Sequence, residues 1–164
     1  MSLQVYNVLF VCTHNSARSI MAEALLNSLG RGRFQAFSAG SHPGTSVHPF
    51  ALTTLSEMHM PTDGLRSKDW GEFTGSGAPE LNFVFTVCDQ AAGEACPVWP
   101  GQPMTAHWGV ADPAAVEGTD AQKAKAFWDT AIILKRRIEL MLALPLASLD
   151  QLTIQREIRN IGSR

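Results

Sequence analysis

The apolar run Val8-Leu9-Phe10-Val11 stops at Cys12, and helical spacing resumes from Arg18, with Met21, Ala24, Leu25 and Ser28 on one face. A strand, a tight loop and a helix N-terminus joined this closely form the opening unit of an α/β fold. The rest of the chain keeps alternating. The first strand is expected over about Val5 to Val11 and the first helix over Arg18 to Leu29, stopped by Gly30. A second strand follows from Phe34 to Ser38, ending in Ala39-Gly40, and a second helix from His48 to Met58, limited by Pro61. Arg66 to Phe73 reads as a short helical piece. Leu81 to Val87 is a continuous apolar run of the kind buried on both faces of a parallel sheet. A Gly- and Pro-containing loop from Cys88 to Pro103 leads to a fourth strand at Met104 to Trp108. Asp120 to Leu144 is the longest helix, with Phe127, Ala131, Leu134, Ile138 and Met141 at core spacing; Ser148 and Gln151 suggest a capping box for a last one. The pattern predicts a three-layer α/β fold around an open, doubly wound parallel sheet of four strands, as one domain spanning residues 1–164.

Ligands of such sheets bind beyond the carboxyl ends of the strands. Cys12, Cys88 and the segment after Trp108 all fall at those ends. Between Cys12 and Arg18 lie Thr13, His14, Asn15, Ser16 and Ala17, whose amides can turn inward around a tetrahedral oxyanion. The positive end of the following helix and the Arg18 fork favour the same guest. That field also favours thiolate over thiol at Cys12, predicting an active nucleophile at neutral pH, with Ser16 and Ser19 near enough in sequence to bond the sulfur. A bare Cys-x5-Arg also arises by chance, so the position between strand and helix gives the motif its weight.

A thiolate that displaces an oxygen from such an anion needs a general acid. Asp112 is the candidate, on the loop Trp108-Gly109-Val110-Ala111-Asp112-Pro113, although Asp-Pro is also an ordinary turn former. Cys88 and Cys96 suit a disulfide relay in which Cys88 attacks an intermediate on Cys12 and Cys96 then attacks Cys88. The plainer alternative makes Cys88 a small core residue and Cys96 incidental. The side chain of His14 is expected to point out of the loop, and His107 and Trp108 to pack at a strand end. His42, His48 and His59 lack metal-ligand spacing, so no metal site is expected. Lys135-Arg136-Arg137 reads as a solvated helix face.

With 13 basic and 15 acidic residues the formal charge is −2, which offers no basic face for nucleic acid or a membrane surface. No apolar run reaches membrane-spanning length, and the N-terminus has no leader pattern. Three cysteines make a secreted disulfide framework a poor fit, so reduced thiols in the cytoplasm are expected.

Taken in order, these segments resemble the low-molecular-weight protein tyrosine phosphatase superfamily and, within it, the thiol-coupled arsenate reductases. The residues concerned are Val8-Leu9-Phe10-Val11-Cys12-Thr13 with Asn15-Ser16-Ala17-Arg18-Ser19 and Met21-Ala22-Glu23, Phe37-Ser38-Ala39-Gly40, Thr86-Val87-Cys88 with Cys96-Pro97, and His107-Trp108-Gly109 with Asp112-Pro113. The resemblance implies that Cys12 attacks arsenate held by the loop amides and Arg18 while Asp112 protonates the departing oxygen. Cys88 would then release arsenite, and Cys96 would pass the disulfide to thioredoxin, glutaredoxin or a small thiol. Asn15 would shape the loop and Ser19 support the thiolate. No cofactor is required, although some relatives hold a potassium ion near residues matching Asn15, Glu23 and Ser38.

Two positions depart from the pattern. His14 stands where glycine is usual, and seven residues separate Cys88 from Cys96, one more than in the thioredoxin-coupled pattern. The main alternative is a phosphatase that hydrolyses phosphate monoesters through a phosphocysteine. It fits less well, because Ala114-Ala115 follow Asp112-Pro113 where aromatics would sandwich an aryl ring, and Tyr6, the sole tyrosine, lies in the first strand. A non-enzymatic anion-binding domain would need neither Asp112 nor the two further thiols.

Overall fold

Val8, Leu9, Phe10 and Val11 have no exposed surface in the computed structural model, which describes residues 4–93, 97 and 99–164. They form β1 (Tyr6–Cys12), which has a strand on each edge and is buried on both faces, and the double burial is why the run carries no polar alternation. The chain continues through α1 (Arg18–Leu29), β2 (Phe34–Gly40), α2 (Pro49–Glu57), β3 (Phe83–Thr86), the short α3 (Asp89–Ala92), β4 (Met104–His107), α4 (Asp120–Leu142) and α5 (Gln151–Ile161). All pairings are parallel and the order is β2-β1-β3-β4. The chain thus winds outward in one direction from β1 to β2 and in the other from β3 to β4. That places a switch point between β1 and β3, where a crevice opens at the carboxyl ends. Register brings the rim into line: Cys12 pairs with Gly40, Val11 with Thr86, and Thr86 with His107.

Aromatic rings fill the layer beneath that rim. Phe85 stacks on Trp108 at 3.9 Å and on Phe10 at 5.6 Å, and Trp108 is fully buried with its indole N–H donated to the Ile158 carbonyl. Burying each such ring is worth about 2–3 kcal/mol, so this stack is a firm floor for the site. Among the described residues no helix is long and apolar enough to cross a membrane.

Several sequence expectations are corrected. The piece expected over Arg66 to Phe73 is a single 3-10 turn at Trp70–Phe73, started by the Asp69 carboxylate accepting from the Gly71 amide. The capping box falls not at Ser148 and Gln151 but at Thr119 and Gln122, ahead of α4; α5 is capped by Asp150, and Ser148 instead donates to the Pro145 carbonyl. Lys135 and Arg136 line an outer face, but Arg137 is buried and donates to the carbonyls of Trp108 (2.8 Å) and Gly109 (3.0 Å). Those carbonyls lie past the end of β4 without strand partners, and a guanidinium satisfies both at once.

Candidate active site

Cys12 is the last residue of β1 and is buried. Beyond it the chain passes through Thr13–Ala17 into α1, and the direction of the carbonyls makes this passage a cradle. Thr13 O accepts from the His42 amide (2.8 Å), His14 O from Gly44 (2.9 Å) and Ser16 O from His48 (2.8 Å). The Ser67 hydroxyl donates to Asn15 O at 2.7 Å. A trans peptide points its N–H opposite to its C=O, so four outward carbonyls turn the amides of His14, Asn15, Ser16 and Ala17 inward. The Asn15 amide shows this directly, donating to Cys12 Sγ at 3.3 Å. Gly40 makes room underneath: a β-carbon there would stand 2.6 Å from Thr13 O.

Asn15 is the keystone of the loop. It is fully buried with φ of 49°, a left-handed conformation that asparagine tolerates better than most residues. Its Oδ1 accepts from the Lys68 amide (2.9 Å) and its Nδ2 donates to Ser19 Oγ (2.8 Å). With its oxygen accepting from Asn15, Ser19 can direct its own proton to Cys12 Sγ, 2.9 Å away. Among the described residues it is therefore Ser19, not Ser16, that bonds the sulfur. Burial pushes the Cys12 thiol above its ordinary range. The Ser19 hydroxyl, then the Ser19 and Asn15 amides, pull it back, while nearby Cys88 adds to the rise. That cost of taking the charge out of water works against the ionised sulfur expected from the field of the loop.

Arg18, the first residue of α1, reaches across to the acid-bearing loop. Its Nη1 donates to Val110 O at 3.1 Å and its Nη2 lies 3.7 Å from Asp112 Oδ2. Asp112 is partly exposed, and its Oδ1 accepts from the Ala114 amide, so the carboxyl also caps the turn that Pro113 opens. Cys88 is buried; its sulfur lies 3.5 Å from Thr13 Oγ1 and accepts from the Ala91 amide at 3.4 Å. Both thiols are free. Cys96 lies outside the described residues. The His14 ring is exposed and meets the His42 carbonyl at 3.2 Å, outward as expected. His107, expected to pack, instead bridges Thr86 Oγ1 (2.8 Å) and Asp89 Oδ1 (2.7 Å) on the same rim.

Residues 7–151 match the family model described as low molecular weight phosphotyrosine protein phosphatase. The chain belongs to that family. An arsenate reductase of Halalkalibacterium halodurans is 32% identical over 73% of this chain and 83% of its own length. A glutaredoxin arsenate reductase of Synechocystis sp. is 29% identical over 83% of this chain and 95% of its own. A solved arsenate reductase in the phosphate binding state superposes with a TM-score of 0.65 at 28% identity, covering 84% of this chain and 97% of that one.

Within this phosphatase-family site, Glu23 and Ser38 meet around a side chain of the protein itself, Lys68, while Asn15 Oδ1 accepts from the backbone amide of the same residue. Lys68 Nζ donates to Ser38 O at 2.8 Å and to Arg66 O at 3.0 Å, and lies 3.6 Å from Glu23 Oε1. Sequence reasoning missed Ser67, Lys68 and Arg137. Each acts on a backbone group far away in the chain and belongs to no local pattern. Among the described residues no group of three or more His, Cys, Asp or Glu could hold a metal ion.

Proposed function

We propose that the protein reduces arsenate to arsenite, with Cys12 as nucleophile and Cys88 as the thiol that completes the two-electron step. The observation that carries this reading is the pair of free thiols at one rim, with Cys88 Sγ 3.5 Å from the hydroxyl of Thr13, the first loop residue. The similarity to proteins named arsenate reductase supports the same reading.

The inward amides and the α1 N-terminus receive the tetraoxyanion. The anion draws the Arg18 fork away from Asp112, freeing that carboxyl to face the departing oxygen. Burial disfavours a free thiolate at Cys12, so the bound dianion takes the thiol proton and the negative sulfur forms beside its target. A sulfur–arsenic bond forms, an arsenic–oxygen bond breaks, and Asp112 protonates the oxygen so that it leaves as water. The Cys88 thiolate then attacks Cys12 Sγ. A disulfide forms, the sulfur–arsenic bond breaks, and its electron pair stays on arsenic, which leaves as arsenite. A thiol donor must return two electrons. Thioredoxin, glutaredoxin or a small thiol supplies them, with Cys96 as the outward relay, and such a donor pool fits the cytoplasm.

The test compares arsenate with an aryl phosphate ester. Arsenite formation in the presence of a thiol donor should be lost in Cys88→Ser, while slow ester cleavage, which shares the first chemical step, persists. Vigorous ester cleavage with no arsenate turnover under any donor would instead establish a phosphatase.

A further inference from the structure

Behind the cradle lies a cluster with no part in the chemistry above. Lys68 and Glu23 keep only 9% and 14% of their side-chain surface exposed, which is unusual for two charged residues unless each serves the other. Burial drives Lys68 down, with Glu23 the main influence holding it up. Burial drives Glu23 up, opposed first by the Ser38 hydroxyl and then by Lys68. Around the ammonium stand Ser38 O, Arg66 O and Glu23 Oε1, an all-oxygen shell of the kind that suits a hard monovalent cation.

The atoms that a free potassium ion would use are already committed. Ser38 O accepts from Lys68 Nζ, Ser38 Oγ donates to Glu23 Oε1 at 2.6 Å, and Asn15 Oδ1 accepts from the Lys68 amide. Asn15 O accepts from Ser67. The residues present therefore do not fit an added ion, which would have to evict the ammonium.

We propose that the Lys68 ammonium is a tethered cation in the place of an exchangeable one, and that by anchoring its own backbone it positions Asn15, Ser19 and finally Cys12. The link is continuous: Nζ fixes the 66–68 segment to β2 and α1, the Lys68 amide orients Asn15 Oδ1, Asn15 Nδ2 orients Ser19 Oγ, and Ser19 meets Cys12 Sγ. Lys68 is thus a positioning residue, and the readiness of the loop is independent of potassium. This rests on the proposed function only in taking Cys12 as the nucleophile, and its readout needs no arsenate.

The experiment follows alkylation of Cys12 by iodoacetamide, together with thermal stability, in a Cys88→Ser, Cys96→Ser background. Potassium and sodium chloride are compared at a matched ionic strength of about 0.1 M. The parent protein should give the same rate and melting temperature in both salts. Lys68→Met, which keeps the bulk and removes the charge, should slow alkylation about tenfold in either salt. Lys68→Ala, which opens the oxygen shell, should be slowed as much and should recover at least half of the lost rate with potassium or methylammonium but not with sodium. A saturable potassium effect on the parent would overturn the proposal, even if both variants failed to fold. So would parent-like alkylation in Lys68→Met, or a slowed Lys68→Ala that no cation rescues, which would leave Lys68 a packing residue.

Discussion

Cys12 and Cys88 lie at the same rim, yet the protein treats them differently. Cys12 meets a hydroxyl at 2.9 Å and an amide at 3.3 Å, inside a loop whose carbonyls at Thr13, His14, Asn15 and Ser16 are each tied to another segment. Cys88 has longer contacts, 3.5 Å to Thr13 Oγ1 and 3.4 Å to the Ala91 amide, at the start of a helix of four residues. A sulfur–sulfur bond is about 2.05 Å long, so forming one requires a thiol to leave its present contacts. The weaker set of contacts is on Cys88. Preorganisation belongs to the nucleophile, which must aim at an anion, and freedom to the resolving thiol, which must come to it.

This contrast can be broken most severely at the sulfurs themselves. Cys12→Ser should remove both arsenate turnover and ester cleavage by at least ~10³-fold, whereas Cys88→Ser should remove only the former; equal loss of both activities in the two variants would erase the division of labour. Next comes the keystone. Asn15→Ala leaves the Lys68 amide and the Ser19 hydroxyl without their partner and puts alanine in a left-handed conformation, so unfolding in urea should show a loss of about 2–4 kcal/mol. A loss below about 1 kcal/mol would mean the loop is not locked through this residue.

Titration of Cys12 sharpens the same point. In the ligand-free protein its alkylation should rise with a midpoint above that of an ordinary cysteine, because burial holds the proton. Ser19→Ala should move that midpoint higher still, since the hydroxyl bond favours the charged form. A folded-state value raised in this way contributes stability that is full below the unfolded thiol's range and is lost as pH climbs through the folded value. A midpoint at or below the ordinary range would show that the helix end and Arg18 outweigh burial. The smallest effect is expected at Thr13→Val, which removes the hydroxyl beside Cys88 and should alter the rate of oxidant-driven Cys12–Cys88 disulfide formation by about threefold or less, read by mass spectrometry.

Much of this arrangement was legible in the residue order because it is local. The apolar run of β1, the loop up to Arg18, the stop at Gly30 and the core stripe Phe127, Ala131, Leu134, Ile138 and Met141 all follow from spacing alone. The helix starts were less secure, since Ser148-x-x-Gln151 and Thr119-x-x-Gln122 carry the same signature. The first is pre-empted by a 3-10 turn that uses the Ser148 hydroxyl, and Asp150 then sits one residue before α5 to cap it. The supports of the loop were not legible for a different reason. Ser67 and Lys68 serve Asn15 from 52 and 53 positions away, and Arg137 serves Trp108 from 29. Such pairs arise only when the sheet closes, and in the sequence Arg137 is indistinguishable from its solvated neighbours.

The hydrogen that stands for a side chain at Gly40 sets a narrow tolerance for the whole rim. The floor of the anion cradle is another strand's backbone, so even an alanine at that position would lift Thr13 and splay the amides that follow it. Lineages of this chain can redraw the outer surface of α4 at little cost, yet a single methyl beneath the loop would disarm the thiol above it.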